Sequence, residues 1–462
     1  MLKLFNTLTK KLEPFKPLKE KKVNLFVCGP TVYDLSHIGH AKTYIQFDII
    51  ARYLRYKKYD VFYLQNITDI DDKIIQRAAE NKETPQALAE RFEKEYFKDM
   101  RALGIASVTQ YARATDYIKQ IISQTKTLTD KDYAYEIDDG IYFNLAKFPE
   151  YGKLSGRTST QAEDAVSRID ESKKKRNRGD FCLWKRSKPD EPTWPSPWFP
   201  GRPGWHIEDT AITESFFGPQ YDIHGGAQDL IFPHHEAEIA QMESASGKKP
   251  LVKYWLHTGF LNVNSEKMSK SRGNFTTIRE AIKKWGALPL RFLFISSHYR
   301  SPINFTEESI RSSKAALEKI ENTLINLKIK LKEAQKGKTD TSFIKKLVTH
   351  KKNFMKEMDN DFNTPKAVAV LFELSHDINT YRGTKPTLEK AQNTVQELLA
   401  ILGIVIEEES SVPTEVQELV AKREQARTKK DWKGADMLRE EIKNLGYTVD
   451  DSSSGSLIKP IK

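Results

Sequence analysis

The order of apolar patterns predicts an α/β fold: a parallel sheet divided by an insertion and followed by an all-helical half. Three observations carry this. Over residues 23–103, short apolar runs alternate with helix-spaced ones, the signature of a parallel sheet. Between 115 and 200 the alternation gives way to a hairpin signal, a basic run and a Pro/Trp-rich stretch. From Glu307 to about Leu402 strand signals vanish.

Taken in order, Val23 to Cys28 (VNLFVC) reads as a buried strand that Gly29-Pro30-Thr31 breaks. A helix begins near Gly39 and runs through Tyr44, Phe47, Ala51 and Leu54. Asp60 to Ile67 is a second strand, and Asp72, Ile75 and Ala79 mark a second helix. Thr84-Pro85 places an N-cap before a proline at the first helical position, opening a helix through Leu88, Phe92 and Phe97 towards Leu103. In the insertion, one helix precedes Tyr135 and Tyr142-Phe143, which flank Asp138-Asp139-Gly140, a hairpin turn. Lys173 to Arg176 is a basic run, either a solvated loop or a nucleic-acid contact, and Pro192 to Gly204 is rich in Pro and Trp. Farther on, Leu317, Ile320, Leu324 and Leu327 recur at helical spacing, and Thr364-Pro365 starts a helix with Val368, Leu371 and Leu374. Glu407 to Pro413 is a polar linker. Thr414-x-x-Gln417 reads as a capping box opening a small basic module, which ends in a polar tail from Asp450 to Lys462.

The length of 462 residues suggests about three domains. With 39% hydrophobic and 30% charged residues the chain is globular, and no apolar run approaches the ~18 residues of a membrane span. Met1-Leu2-Lys3-Leu4-Phe5 lacks a signal-peptide pattern, and two cysteines exclude a disulfide framework; both predict a cytoplasmic protein. Cys28 and Cys182 form no C-x-x-C pair. The excess of 74 Lys+Arg over 63 Asp+Glu, a net charge of +11, fits a polyanion partner such as nucleic acid, although Lys-rich helices alone also make proteins basic.

The chemistry begins at His37-Ile38-Gly39-His40. The motif lies between a strand end and a helix start, where free N–H groups and the helix dipole favour phosphates. Two imidazoles there can donate to phosphoryl oxygens as charge builds, and Gly39 lets the backbone approach a ligand. Such a pair can also be structural or bind metal. Lys267-Met268-Ser269-Lys270-Ser271, followed by Arg272-Gly273-Asn274, adds two lysines in a small-residue loop suited to a polyphosphate. Together and in this order, the two motifs resemble the HIGH and KMSKS signatures of class I aminoacyl-tRNA synthetases.

Longer strings narrow the resemblance. Cys28-Gly29-Pro30-Thr31-Val32-Tyr33-Asp34, Asn66 to Lys73 (NITDIDDK), Gly204-Trp205-His206-Ile207-Glu208, His224-Gly225-Gly226 and Asp229 to Glu236 (DLIFPHHE) all resemble the cysteinyl-tRNA synthetase family. So do Asp361 to Pro365 and the pattern Trp432, Ala435, Asp436, Arg439. The resemblance spans essentially the whole chain. It implies a Rossmann-like core with its first half at 1–114, a connective insertion at 115–200 and its second half at 201–250. A KMSKS and stem-contact region at 251–306, a helical bundle at 307–406 and an anticodon-side module at 407–462 complete the expected organisation. The linking region from Arg291 to Phe305 is expected to face the tRNA.

The same resemblance implies zinc in the amino-acid pocket. Cys28 supplies a thiolate at a strand end, and His234 and Glu238, spaced i and i+4, share a helix face. The family's usual fourth ligand is a second cysteine just after Gly-Trp-His-Ile-Glu. Here that position is Asp209, which keeps the ligand charge and can bind zinc through oxygen; the bland alternative is that it does not bind. His235 and Glu236 compete for the metal by type, but the resemblance points to His234 and Glu238. Serine differs from cysteine by one atom, which size alone separates poorly, whereas zinc favours the soft sulfur. Cys182 reads as a buried thiol filling a core gap. A nucleophilic role for Cys28 lacks an orienting residue, and a zinc hydrolase lacks H-E-x-x-H.

The implied reaction has two steps: attack of the L-cysteine carboxylate on ATP, then transfer to the 3′ end of tRNA(Cys). His37 and His40 are expected at the developing phosphate charge, and Lys267 and Lys270 at the β- and γ-phosphates, with Mg2+ accompanying ATP. Gly39 and Asp229 are expected near ATP. Thr68, Trp205 and His224 are expected in the cysteine pocket, Trp205 being equally readable as core. Basic-module contacts to tRNA phosphates predict strong salt dependence, and a monomer is expected. Two rivals share parts of this pattern. A cysteine ligase of the mycothiol pathway does not need the module from Thr414 onward, and a non-catalytic tRNA-binding paralogue does not need intact HIGH and KMSKS motifs.

Overall fold

The computed structural model describes residues 1–157, 172, 174–268, 274–406, 413–452 and 455–460. The chain divides into two compact units. The first comprises 1–313, 355–367 and 401–403; the second comprises 314–354, 368–400 and 404–462.

Five parallel strands form the centre of the first unit: β1 (Lys22–Val27), β2 (Asp60–Ile67), β3 (Gln110–Arg113), β4 (Tyr221–Ala227) and β5 (Val252–Thr258). Their spatial order is β5-β4-β1-β2-β3, the Rossmann order, which reverses between β1 and β4. Helices α1 (Ile38–Tyr56), α2 (Asp72–Asn81) and α3 (Pro85–Ala102) make the crossovers from β1 to β3. Thr84 caps α3 through the Ala87 N–H with Pro85 at its first position, as the sequence predicts. The β1 strand is buried because Val23, Leu25, Phe26 and Val27 lie between helical layers.

Helix α4 (Ile118–Asp130) opens the insertion. A four-stranded antiparallel sheet follows, from Ala134–Ile137, Gly140–Phe143, Phe181–Arg186 and Gly201–Pro203. The hairpin at Asp138-Asp139 forms as expected. Phe143, Trp184 and Phe199 join Phe26 and Leu64 of the parallel sheet in one core, so the insertion is fixed to that sheet. Members of the basic run are engaged locally: Lys174 pairs with Asp138, Lys175 donates to the Asp180 carbonyl, and Arg176 lies 4.2 Å from the Tyr135 ring centre. Lys173 lies outside the described residues.

Helix α5 (Ile207–Phe217) precedes β4 and α6 (Glu236–Ser246) follows it; α7 (Ile278–Trp285) and α8 (Ala287–Ile295) follow β5. Arg291, at the start of the linking region, is 1% exposed. Its guanidinium pairs with Asp48 of α1 and donates to the carbonyls of Leu402 (2.9 Å) and Leu103 (3.1 Å). Sequence spacing cannot distinguish such an internal tether from a surface arginine. Arg291→Ala is expected to cost about 3–5 kcal/mol, because it strands a buried carboxylate. Burial raises the Asp48 carboxyl, but Arg291 and Arg52 outweigh burial and hold it below the usual range. A carboxyl depressed in the folded state contributes stability that is lost as pH falls through the folded value. Urea unfolding against pH checks both points: without Arg291 burial is less opposed and the folded-state Asp48 carboxyl rises, so the Asp48-linked loss of stability on acidification is expected to shrink in the variant.

The second unit is helical. Leu317, Ile320 and Leu327 are buried, as are Val368, Leu371 and Leu374, and Leu324 is half-buried. Two corrections concern its C-terminal module, where helices Thr414–Thr428 and Trp432–Asn444 pack together. Thr414 is the first helical residue, not a cap. Pro413 takes the cap position without a side-chain cap bond, because its ring carries no acceptor. The polar tail contains an antiparallel hairpin, Tyr447–Ser452 with Gly455–Pro460. Val449 joins a core with Val416, Leu419, Val420 and Ile442, an apolar face that the surrounding polar residues hide in the sequence. Among the described residues no helix is long and apolar enough to cross a membrane.

Candidate active site and metal centre

In a doubly wound sheet the crevice lies at the carboxyl ends of the strands, where the strand order reverses. The chain places a cavity of ≈ 300 Å³ there. Cys28 follows β1, Thr68 follows β2, Gln228 to Leu230 follow β4, Gly259 and Phe260 follow β5, and all line it. Of the sequence-predicted residues, Cys28, His37, Gly39, His40, Thr68, Trp205, Asp209, Asp229 and His234 line this cavity. His224 and Glu238 do not; both are buried behind it.

His37 and His40 stack at 3.8 Å between ring centres, over the first turn of α1. The His37 Nδ1 accepts from the Gly39 N–H (3.1 Å), and the His40 Nδ1 accepts from the His37 N–H (3.2 Å). With Nδ1 an acceptor in both rings, the ring proton of each neutral imidazole sits on Nε2. The turn therefore builds two N–H donors beside the positive end of a helix. Burial, then the neighbouring His37, pulls His40 well below the usual imidazole range, which keeps it neutral. Gly39 is required sterically, since a Cβ there would meet the His37 ring at 2.8 Å.

The predicted metal ligands converge. Cys28, Asp209, His234 and Glu238 are all buried, with one donor atom each, and these atoms lie within 4.8 Å of one another. The His234 Nε2 is 3.0 Å from the Asp209 Oδ2 and 3.1 Å from the Glu238 Oε1. Zinc bonds of about 2.0–2.1 Å in a tetrahedron would hold such atoms about 3.3 Å apart. The Glu238 Oε1 has no hydrogen-bond partner despite that 3.1 Å approach, as for two donors facing a common point. Burial, then the Asp209 and Glu238 carboxylates, push the Cys28 thiol well up. Burial, then Asp209, likewise raises Glu208 and Glu238. The partners of this buried acid are imidazoles, an amide and a hydroxyl rather than lysines or arginines. Such an environment fits a divalent cation.

The i and i+4 spacing works differently from the expected single helix face. Glu238 is on α6, but His234 belongs to the irregular wide turn Ile231–His235 ahead of it, where Phe232 is extended. Asp209 sits in the first turn of α5. The exposed Trp205 stacks on His234 at 4.4 Å and 23°, so it is a pocket wall rather than core.

Behind these residues lies a shell of which the sequence singled out only His224, His235 and Thr68 as candidates. The His234 Nδ1 meets the His206 Nδ1 at 2.8 Å. The Cys28 Sγ is 3.3 Å from the His224 Nε2 and 3.2 Å from the His235 Nε2. His224 continues to the Tyr221 hydroxyl (2.6 Å), and His235 through His257 (2.8 Å) to the Thr7 hydroxyl (2.8 Å). With each hydroxyl donating, both relays end in an N–H aimed at the Cys28 sulfur. By distance alone, Cys28, His224, His235 and Glu238 form a second possible ligand group, one that would require both imidazole Nε2 atoms to be free of protons. Its two histidines lie outside the cavity lining, whereas Cys28, Asp209 and His234 open onto it. Glu208 accepts from the Thr68 hydroxyl, and Asn66 donates to Asp209. Lys42 lines the cavity and donates to the carbonyls of Gly259, Phe260 (3.2 Å) and Ser301 (2.9 Å). Burial pushes it down to about 7, while the three carbonyls favour its ammonium form. Asn66, His206, Glu208, His224 and His235 fall within motifs, whereas Thr7, Lys42, Tyr221 and His257 do not.

The Lys267 backbone closes a short strand, Glu266–Lys267, and Lys270 lies outside the described residues. The flanks of the loop meet the histidine turn. Met268 lines the cavity, Phe275 meets the His37 ring edge-on at 5.4 Å, and Ile38 N–H donates to the Thr276 carbonyl (3.1 Å).

A family model described as "tRNA synthetases class I (C) catalytic domain" matches residues 14–315. Models for a DALR domain and a cysteinyl-tRNA ligase anticodon binding domain match 353–407 and 409–455. Among solved structures, Mycobacterium tuberculosis methionyl-tRNA synthetase bound by methionyl-adenylate shares the fold. Its TM-score is 0.62 at 16% identity, over 82% of this chain and 92% of that one. A leucyl-tRNA synthetase of Agrobacterium radiobacter, in a complex with tRNA, gives 0.63 at 11% identity, over 84% and 85%. Fold and site thus define a class I aminoacyl-tRNA synthetase, an aminoacyl-tRNA ligase. The cysteine–tRNA ligase of Caldicellulosiruptor saccharolyticus is 45% identical over all of both chains, and that of Thermococcus onnurineus is 43% identical over 100% of this chain and 99% of its own. The chain belongs to the cysteine–tRNA ligase family.

Proposed function

We propose that the chain activates L-cysteine with ATP and transfers it to tRNA(Cys), selecting cysteine through a zinc site made of Cys28, Asp209, His234 and Glu238. One observation carries this: the buried thiol of Cys28, the imidazole of His234 and the carboxylate of Asp209 line the cavity that the stacked His37 and His40 also line, and their donor atoms converge with the Glu238 carboxylate buried behind it. Zinc held there supplies a soft Lewis acid that favours a substrate thiolate over a hydroxyl.

The chain's own residues do the rest. The Trp205 face and Thr68 bound the amino-acid end of the cavity. The cysteine carboxylate attacks the α-phosphate, giving cysteinyl-adenylate and pyrophosphate. The His37 and His40 Nε2–H groups donate to the phosphoryl oxygens as charge develops, and the α1 N-terminus adds its dipole. Gly39 allows the nucleotide to approach, and Asp229, exposed on the cavity lining, contacts it. Lys267 and Lys270 hold the β- and γ-phosphates, and Mg2+ arrives with ATP. A ribose hydroxyl of the tRNA then attacks the cysteinyl carbonyl, forming the ester and releasing AMP, while the C-terminal module meets the anticodon side. The protein acts as a cytoplasmic monomer.

Metal analysis and amino-acid-dependent ATP–pyrophosphate exchange test this reading. The wild type is expected to hold about one zinc per chain and to prefer cysteine strongly over serine; Asp209→Ala is expected to weaken both. A metal-free wild type that still rejects serine would overturn it.

A further inference from the structure

A carboxylate differs from other zinc donors in having two oxygens that compete for the same ion. The two oxygens of Asp209 are held differently. Its Oδ2 faces the His234 Nε2 at 3.0 Å, towards the other ligand atoms. Its Oδ1 accepts from the Asn66 Nδ2 at 2.5 Å. Asn66, the penultimate residue of β2, is 2% exposed, and its amide is anchored at the other end, where Oδ1 accepts from the Gly29 N–H at 2.6 Å. Gly29 cannot yield, because a Cβ there would lie 1.7 Å from the Asn66 carbonyl oxygen. The amide is thus clamped between the residue after Cys28 and the far oxygen of Asp209. The same Nδ2 lies 3.4 Å from both the Glu208 Oε1 and the Thr68 Oγ1, which leaves it no freedom to turn away.

We propose that Asn66 is a positioning residue for the metal centre: by occupying the Asp209 Oδ1 it makes Asp209 a one-oxygen ligand through Oδ2. This rests on Asp209 being a zinc ligand. Hydrogen bonds to ligating carboxylates typically govern metal affinity by about 10–100-fold. The proposal makes a sharper demand, because the effect must require a second oxygen at position 209. A thiolate offers one donor atom, so Asn66 has nothing to hold aside in an Asp209→Cys chain.

The test is a double-mutant cycle on the full chain. Zinc affinity is measured by chelator competition for the wild type, Asn66→Ala, Asp209→Cys and the double variant, with Asp209→Ala alongside. Cobalt replaces zinc in a parallel series, where loss of visible absorption reports a rise above four-coordination. Asn66→Ala is expected to lose about 10–100-fold in zinc affinity, with weaker cobalt bands, when Asp209 is present. In the Asp209→Cys background it is expected to change affinity less than about threefold. Equal losses in the two backgrounds would mean that Asn66 only supports the Gly29 turn, and the proposal fails. If Asp209→Ala leaves zinc affinity unchanged, the underlying ligand assignment fails instead. Should Asn66→Ala not fold, Asn66→Ser carries the same comparison, since its short hydroxyl cannot span from Gly29 to Asp209.

Discussion

Cys28→Ala is expected to strip the chain of zinc and of cysteine-dependent ATP–pyrophosphate exchange together. Binding free energies of roughly 10–16 kcal/mol shared by four ligands give ~2.5–4 kcal/mol for one, a loss of about 60- to 1000-fold in metal affinity. The residual pocket, left to sort by shape, is expected to separate cysteine from serine by no more than about 10–200-fold. Cys182→Ala is the control. Its thiol is buried against Tyr135 and Tyr142 in the insertion and lines no part of the cavity, so metal content and selectivity should stand. Both candidate ligand groups contain Cys28, so the histidines decide between them. His234→Ala is expected to lose metal as severely as Cys28→Ala. His235→Ala removes an imidazole behind the sulfur and is expected to lose only about 10–100-fold. The reverse order would move the centre away from the cavity, to His224 and His235.

The alternation of patterns was enough to read β1, α1, β2 and α2, because a parallel strand buried on both faces is apolar throughout and its helices are one-sided. The same rules missed the second half of the sheet. The β4 strand reads Tyr-Asp-Ile-His-Gly-Gly-Ala, and its polar and glycine positions serve the site rather than strand propensity. Asp222 is buried because its carboxylate caps the N–H of Leu18 and Asn24, and His224 because it meets Cys28. The four converging residues Cys28, Asp209, His234 and Glu238 were legible as motif letters, as were the two stacking histidines. Directions were not. Which Asp209 oxygen faces His234, which imidazole nitrogen carries a proton and whether Arg291 points inward all depend on groups far away in sequence. Arg291 illustrates the general reason: its partner Asp48 is 243 residues distant, and no local periodicity encodes that pairing.

His40→Ala is expected to lower the rate of cysteinyl-adenylate formation by about 10²–10³, the usual effect of deleting one preorganised donor to developing charge. Zinc content should not change, because His40 touches none of the four ligands, and the KM for cysteine should move little. The substitution also removes the acceptor for the His37 N–H, so part of the loss reflects a loosened turn. His40→Asn separates the contributions, since its amide can still donate, and it is expected to recover some of the rate. The pH profile supplies an independent sign. Burial and His37 hold His40 well below its ordinary 6.5, so the neutral ring persists as pH falls through that value. Protonation would place a hydrogen on Nδ1, against the His37 N–H that it now accepts. Exchange activity assigned to His40 should therefore show no acid limb near pH 6.5, although a solvent-exposed histidine in the same role would. If His40→Ala instead raised the KM for ATP with kcat unchanged, the imidazole would be binding the ground-state nucleotide, and the donor at the phosphoryl transition state would have to be His37 alone.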